Sequence, residues 1–156
     1  MRPAKKVNSF DSLIRCLEKT HPDLIEIYHT YQISTYPLVK IVLGKRNPRR
    51  VLISAGIHGD EPAGIETILS FLENNHYSSY INNWEITLLP CLNPYGYEFG
   101  IRENHDEKDL NRLFKEAQSV TEVSFAKSVL SKPFELTIEL HEDNESSGYY
   151  LYQKGI

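Results

Sequence analysis

The sequence predicts an α/β domain, a mixed, mainly parallel sheet flanked by helices. Short apolar runs rich in Val, Ile and Leu recur at 38–43, 51–57, 84–89 and 134–140, each of strand length. Segments of helical period lie between them, the alternation expected of strand–helix–strand units. Gly and Pro punctuate the ends of the runs.

Taken in order, Asn8 or Ser9 caps a helix whose apolar positions Phe10, Leu13, Ile14 and Leu17 keep the i, i+3, i+4, i+7 spacing, and Pro22 stops it. Residues 24–31 and 38–43 read as strands joined by a turn near Tyr36-Pro37, and they supply an antiparallel edge to the sheet. His29 in the first of them reads as a half-exposed filler. The run Lys45-Arg46-Asn47-Pro48-Arg49-Arg50 reads as a solvated turn.

The strand at 51–57 leads to Pro62, in the first turn of a helix where proline is tolerated. Ile65, Ile68, Leu69 and Leu72 form that helix's inner face and Asn74-Asn75 end it. After the strand at 84–89, residues 91–114 read as one long polar loop, a length that is often functional. A helix at 119–130 places Val120, Val123, Ala126, Val129 and Leu130 on one face. Pro133 breaks it, and the strand at 134–140 ends at His141. Residues 148–152 are expected to begin one more strand.

At 156 residues and 18.0 kDa the chain fits a single domain, 1–156. Apolar content of 40% with 24% charged residues is that of a soluble globular protein. A net charge of -4 excludes a general attraction for nucleic acid or for an anionic membrane. No run approaches the ~18 apolar residues of a membrane span. No apolar signal core follows Met-Arg-Pro-Ala-Lys-Lys, so the cytoplasm is the expected location. Cys16 and Cys91 are isolated and read as buried free thiols.

Chemistry first appears at His58 and Glu61, at the carboxyl end of the 51–57 run, the edge where open α/β sheets place ligands. Imidazole and carboxylate both ligate zinc, and a catalytic zinc takes three protein ligands and keeps one position for water. The H-x-x-E spacing alone signals little: with 6 histidines among 156 residues, chance gives roughly 0.6 such pairs. His141 ends a second apolar strand. Were the two strands neighbours, His58, Glu61 and His141 would form the His₂Glu set of a hydrolytic zinc site.

Five segments stand in order: His58-Gly-Asp-Glu61, Asn93-Pro-Tyr-Gly96, Arg102-Glu-Asn104, Asp109-Leu-Asn-Arg112 and the strand end Glu-Leu-His141. Singly, each has a plain reading: a cap, a turn or a surface charge. Together, between about residues 51 and 141, they resemble the zinc carboxypeptidase family. The resemblance implies a carboxypeptidase-like fold and one zinc ion on His58, Glu61 and His141. It implies that Asp109 orients His58, that Asn111 and Arg112 grip a substrate carboxylate, and that Arg102 meets the oxyanion.

The implied reaction is hydrolysis of a peptide or peptide-like amide beside a free carboxylate. A related reading is deacylation of N-acyl amino acids, as in the aspartoacylase and succinylglutamate desuccinylase branch. A third is a binding module without turnover. In the carboxypeptidase family the general base is a glutamate well beyond the third ligand, and Ile156 lies 15 residues past His141. Glu139 and Glu142 are poor substitutes, so these 156 residues are expected to be the N-terminal part of a longer catalytic domain and inactive alone.

Overall fold

A computed structural model describes residues 5–20, 25–28, 36–117, 120–143, 145–146, 148 and 150–152. Among these residues five strands, β1 (Ile25–Tyr28), β2 (Leu38–Leu43), β3 (Arg49–Ala55), β4 (Trp84–Leu89) and β5 (Leu136–Leu140), form one mixed sheet in the order β1-β2-β4-β3-β5. β3 pairs in parallel with β4 and β5, whereas β1 and β2 add the antiparallel edge. His29 lies outside the described residues.

Among the described residues four α-helices flank the sheet: α1 (Phe10–Thr20), α2 (Ala63–Glu73), α3 (Pro94–Phe99) and α4 (Thr121–Leu130). The Ser9 hydroxyl accepts the Ser12 N–H and so caps α1. The Asn8 amide instead donates to the Tyr97 carbonyl. Phe10, Leu13 and Leu17 of α1 and Ile65, Ile68 and Leu72 of α2 cover one face of the sheet through Val39, Ile41, Val51, Ala55, Ile86 and Leu88. Val123, Phe125 and Ala126 of α4 cover the other, against Leu38, Leu52 and Leu89. Alternate residues of β3 therefore enter different cores, which is why the strand reads as an unbroken apolar run.

Three expectations need correction. The region 91–114 is not one loop: Asn93 caps α3, and residues 110–115 form a 3₁₀ turn capped by Asp109. Residues this polar conceal their helices because each helix is about two turns or less and has no room for an apolar period. Gly148 and Tyr150–Tyr152 carry no strand, and Tyr152 is 90% exposed. Of the two free thiols only Cys91 is buried; Cys16 is half-buried and its thiol lies 3.0 Å from Glu73 Oε1. No helix among the described residues is long and apolar enough to cross a membrane.

Candidate metal centre

β3 and β5 are direct neighbours, with Ala55 opposite Leu140, so the residues that follow each strand leave the sheet at the same carboxyl edge. The chain turns out of β3 through Gly56, whose φ of 64° is left-handed and free of strain only for glycine. His58 follows, 3% exposed, while His141 comes directly after the last residue of β5. Neighbouring parallel strands thus bring together two histidines that lie 83 positions apart.

The Nδ1 atoms of His58 and His141 each stand 2.7 Å from one oxygen of Glu61, Oε1 and Oε2 respectively. The two rings are 5.0 Å apart. Donor atoms of the three residues lie within 4.8 Å of one another, a group that could hold a metal ion. Glu142 braces it from behind: its N–H donates to Glu61 Oε2 at 3.1 Å, and its carboxylate accepts the Ala63 N–H at 3.1 Å. The start of α2 and the end of β5 are thereby fixed to each other.

Asp109 stands on the far side of His58, with Oδ1 at 3.3 Å from Nε2. That nitrogen is buried and has no well-aligned hydrogen-bond partner among the described residues. The same Oδ1 accepts the Asn111 N–H at 3.0 Å, and Oδ2 receives Arg102 through Nε and an Nη, both at 3.1 Å. The other Nη of Arg102 reaches to 3.6 Å from Glu61 Oε1. His58, Glu61, Arg102, Asp109 and His141 are therefore one contiguous cluster. Arg112 stays at its margin, 80% exposed, with Nε 3.8 Å from Asp109. Asn111 lines a cleft of about 210 Å³ that also contains Ser54, Phe114 and Glu139.

Two buried amides hold this cluster, and their part was not read from the sequence. Asn93, 0% exposed, accepts the Gly96 N–H and donates to the Arg102 carbonyl, so the cap of α3 also fixes the arginine's backbone. Asn104 accepts the N–H groups of Asp106 and Lys108 and shapes the loop that delivers Asp109. The available signal for Asn93 was an asparagine directly before proline, a cap followed by the first helical position.

The His58 loop lies directly against the cap of α3: a Cβ on Gly59 would come within 1.9 Å of the Gly96 carbonyl carbon. Gly59→Ala is expected to cost at least about 2 kcal/mol, because backbone cannot rotate aside as a side chain can. Thermal unfolding reads this as a lowered Tm, and an unchanged Tm would show that the two loops do not touch.

The electrostatics follow from the packing. Burial opposes the charge on Glu61, but the Glu142 N–H and then the two imidazoles outweigh it and hold the carboxyl below its ordinary range. Burial likewise opposes Asp109, and Arg102 holds it low. His141 is raised to about 9, chiefly by Glu139, whose carboxylate is 3.8 Å from Nε2; desolvation of the ring opposes this and Glu61 adds to it. Glu139 thus faces the nitrogen turned away from Glu61, and the Glu142 carboxylate is taken by α2.

The model of the succinylglutamate desuccinylase/aspartoacylase catalytic domain matches residues 47–155. A Prochlorococcus marinus protein named "Probable aspartoacylase" is 30% identical over 121 residues, 69% of this chain and 38% of its own length. Mouse carboxypeptidase Z is 27% identical over 143 residues, 72% of this chain and 22% of its own. A metallo-carboxypeptidase from Pseudomonas aeruginosa superposes with a TM-score of 0.72 at 20% identity, over 87% of this chain and 40% of that one, a likeness of fold. The chain spans well under half the length of each of these three relatives.

Proposed function

The chain belongs to the succinylglutamate desuccinylase/aspartoacylase catalytic-domain family, and from that premise we propose that it carries the metal site of a zinc-dependent hydrolase acting on an amide beside a free carboxylate. The observation that carries the reading is the convergence of two imidazole Nδ1 atoms on the two oxygens of Glu61, each at 2.7 Å. The donor atoms of His58, Glu61 and His141 lie within 4.8 Å of one another, close enough for one ion to gather all three. Two nitrogens and a carboxylate are the donor set of hydrolytic zinc.

In this reading His58, Glu61 and His141 hold the ion. Asp109, 3.3 Å from His58 Nε2, would accept a hydrogen bond from an N–H there and so favour the tautomer that leaves Nδ1 free to ligate. Zinc, when bound, supplies a water of lowered pKa and polarises the carbonyl. Arg102, tethered to Asp109 and leaning over Glu61, donates to the oxyanion. Arg112, whose guanidinium is open to solvent, binds the substrate carboxylate as a planar fork, and Asn111 assists it. We assign the base that takes the water's proton to neither Glu139 nor Glu142, since one faces the wrong side of His141 and the other is bound to α2.

The substrate we assign is a small N-acyl amino acid, in keeping with the family match to residues 47–155. A C-terminal peptide bond presents the same amide and carboxylate. The Asn93-Pro-Tyr-Gly96 and Arg102-Glu-Asn104 segments, with the 27% identity to carboxypeptidase Z, favour that second reading. The zinc-loaded full-length protein decides between them when given N-acetyl and N-succinyl amino acids and, separately, short peptides. Faster release of free amino acid from the acyl compounds is expected. Faster loss of C-terminal residues from peptides would establish the second reading, and turnover of neither would contradict both.

A further inference from the structure

The basic run at residues 45–50 has no part in the hydrolytic site; it is the exposed turn that its composition predicts, but its backbone is pinned. Gly44 turns with a φ of 63°, and a Cβ there would meet the Trp84 carbonyl oxygen at 2.3 Å. The Asn47 amide donates to the Gly44 and Ile81 carbonyls at 2.9 and 2.7 Å. The turn is therefore pinned to the start of β4. Arg46 is held with a φ of 77°, a left-handed conformation that a side chain of this size seldom adopts, and such strain persists only where the surroundings impose it.

The pinned turn forms one wall of a cleft of about 490 Å³, at the opposite end of β3 from His58. Five cations line it, Lys40, Lys45, Arg46, Arg50 and Lys132, with Glu85 as the carboxylate among them. Arg50 is the fixed floor: Nε donates to Glu85 Oε1 at 2.8 Å, an Nη donates to the Pro133 carbonyl at 2.8 Å, and the guanidinium lies 4.3 Å from the Phe134 ring. Glu85 is already engaged on both oxygens, since Oε2 accepts the Arg46 N–H at 3.2 Å. Its charge is shared by Arg50, at 2.8 Å, and by Lys132, which leaves the side chains of Lys45 and Arg46 without a carboxylate partner among the described residues. A concave surface with this excess of positive charge, on a chain of net charge -4, is a local sink for anions.

We propose that this cleft is a binding site for a small multivalent phosphate, separate from the hydrolytic centre. Its volume suits a ligand of diphosphate to nucleotide size. Lysine and arginine heads around one pocket match several phosphate oxygens at once. The charge pattern fits a compact anion better than a polymer, because the rest of the chain is acidic overall and gives an extended polyanion no continuing track.

Calorimetric titration of the full-length protein with inorganic pyrophosphate tests this, with ADP and orthophosphate as separate arms. Saturable binding of pyrophosphate near one per chain is expected, and tighter binding of ADP would assign the source as a nucleotide. Arg46→Glu and Lys132→Glu are each expected to weaken binding about tenfold or more, the loss of one charge-assisted contact. Lys19→Glu, an equal change of charge on α1, should leave it unaltered. Both groove variants are at exposed positions, and zinc content and hydrolysis should stay at wild-type levels. Absence of saturable pyrophosphate binding, or equal weakening by Lys19→Glu, would overturn the proposal. Because hydrolysis is read in the same samples, its failure is distinguishable from failure of the hydrolase reading.

Discussion

His58→Ala is expected to empty the metal site. Zinc bound to the full-length protein should fall from about one per chain to below about a tenth, since two remaining side chains cannot satisfy an ion that takes three protein ligands. Hydrolysis should fall at least ~10³-fold as the pKa of the attacking water moves from about 7 back toward 15.7. His58 is the least exposed of the three candidate ligands, and one of its nitrogens faces Glu61 while the other faces Asp109. Truncation therefore removes a ligand and at the same time separates Asp109 from the site. A far-ultraviolet circular dichroism spectrum matching the wild type would separate loss of metal from loss of fold. Retention of stoichiometric zinc by this variant would rule out the His58 assignment.

The second large effect is expected at Arg102. Arg102→Met keeps the length and apolar stem of the side chain but removes every donor, and kcat should drop by ~10² to 10³, the usual cost of losing an oxyanion donor. Zinc content should stay near one per chain, because Arg102 meets the ligand group only at 3.6 Å, through Glu61. KM should change little if Arg112 is the carboxylate grip. A variant with normal kcat and a raised KM would reverse the two roles and make Arg102 the substrate anchor.

How legible the molecule was in its sequence depended on whether a residue's partner was local. β2 and β4 were readable to the residue, because each is a run of strand length rich in Val, Ile and Leu that Gly44 or Pro90 closes. The pairing of β3 with β5, which the sequence offered only as the condition under which its two histidines meet, is what the sheet shows. What could not be read was the work of short polar elements. Asn93, Asn104 and Glu142 act through hydrogen bonds to backbone groups 9, 4 and 79 positions away, and no periodicity marks such bonds.

The basic turn shows the same limit. Its composition reads as solvent-exposed, while its rigidity comes from Asn47 and Gly44 packed on carbonyls of another segment. Asn111 and Arg112 differ in another way. Their place in the motif was clear, but Arg112 reaches into solvent and meets the cluster at Asp109, 3.8 Å away.

The most direct test is a zinc-edge anomalous difference map from crystals of the full-length protein. A single peak about 2.0–2.1 Å from Nδ1 of both His58 and His141, with Glu61 oxygen at about 2.0–2.2 Å, is predicted. Asp109 should remain on Nε2 of His58. A peak bound through Nε2, a peak elsewhere on the chain, or no peak at all would contradict the assignment of these three residues.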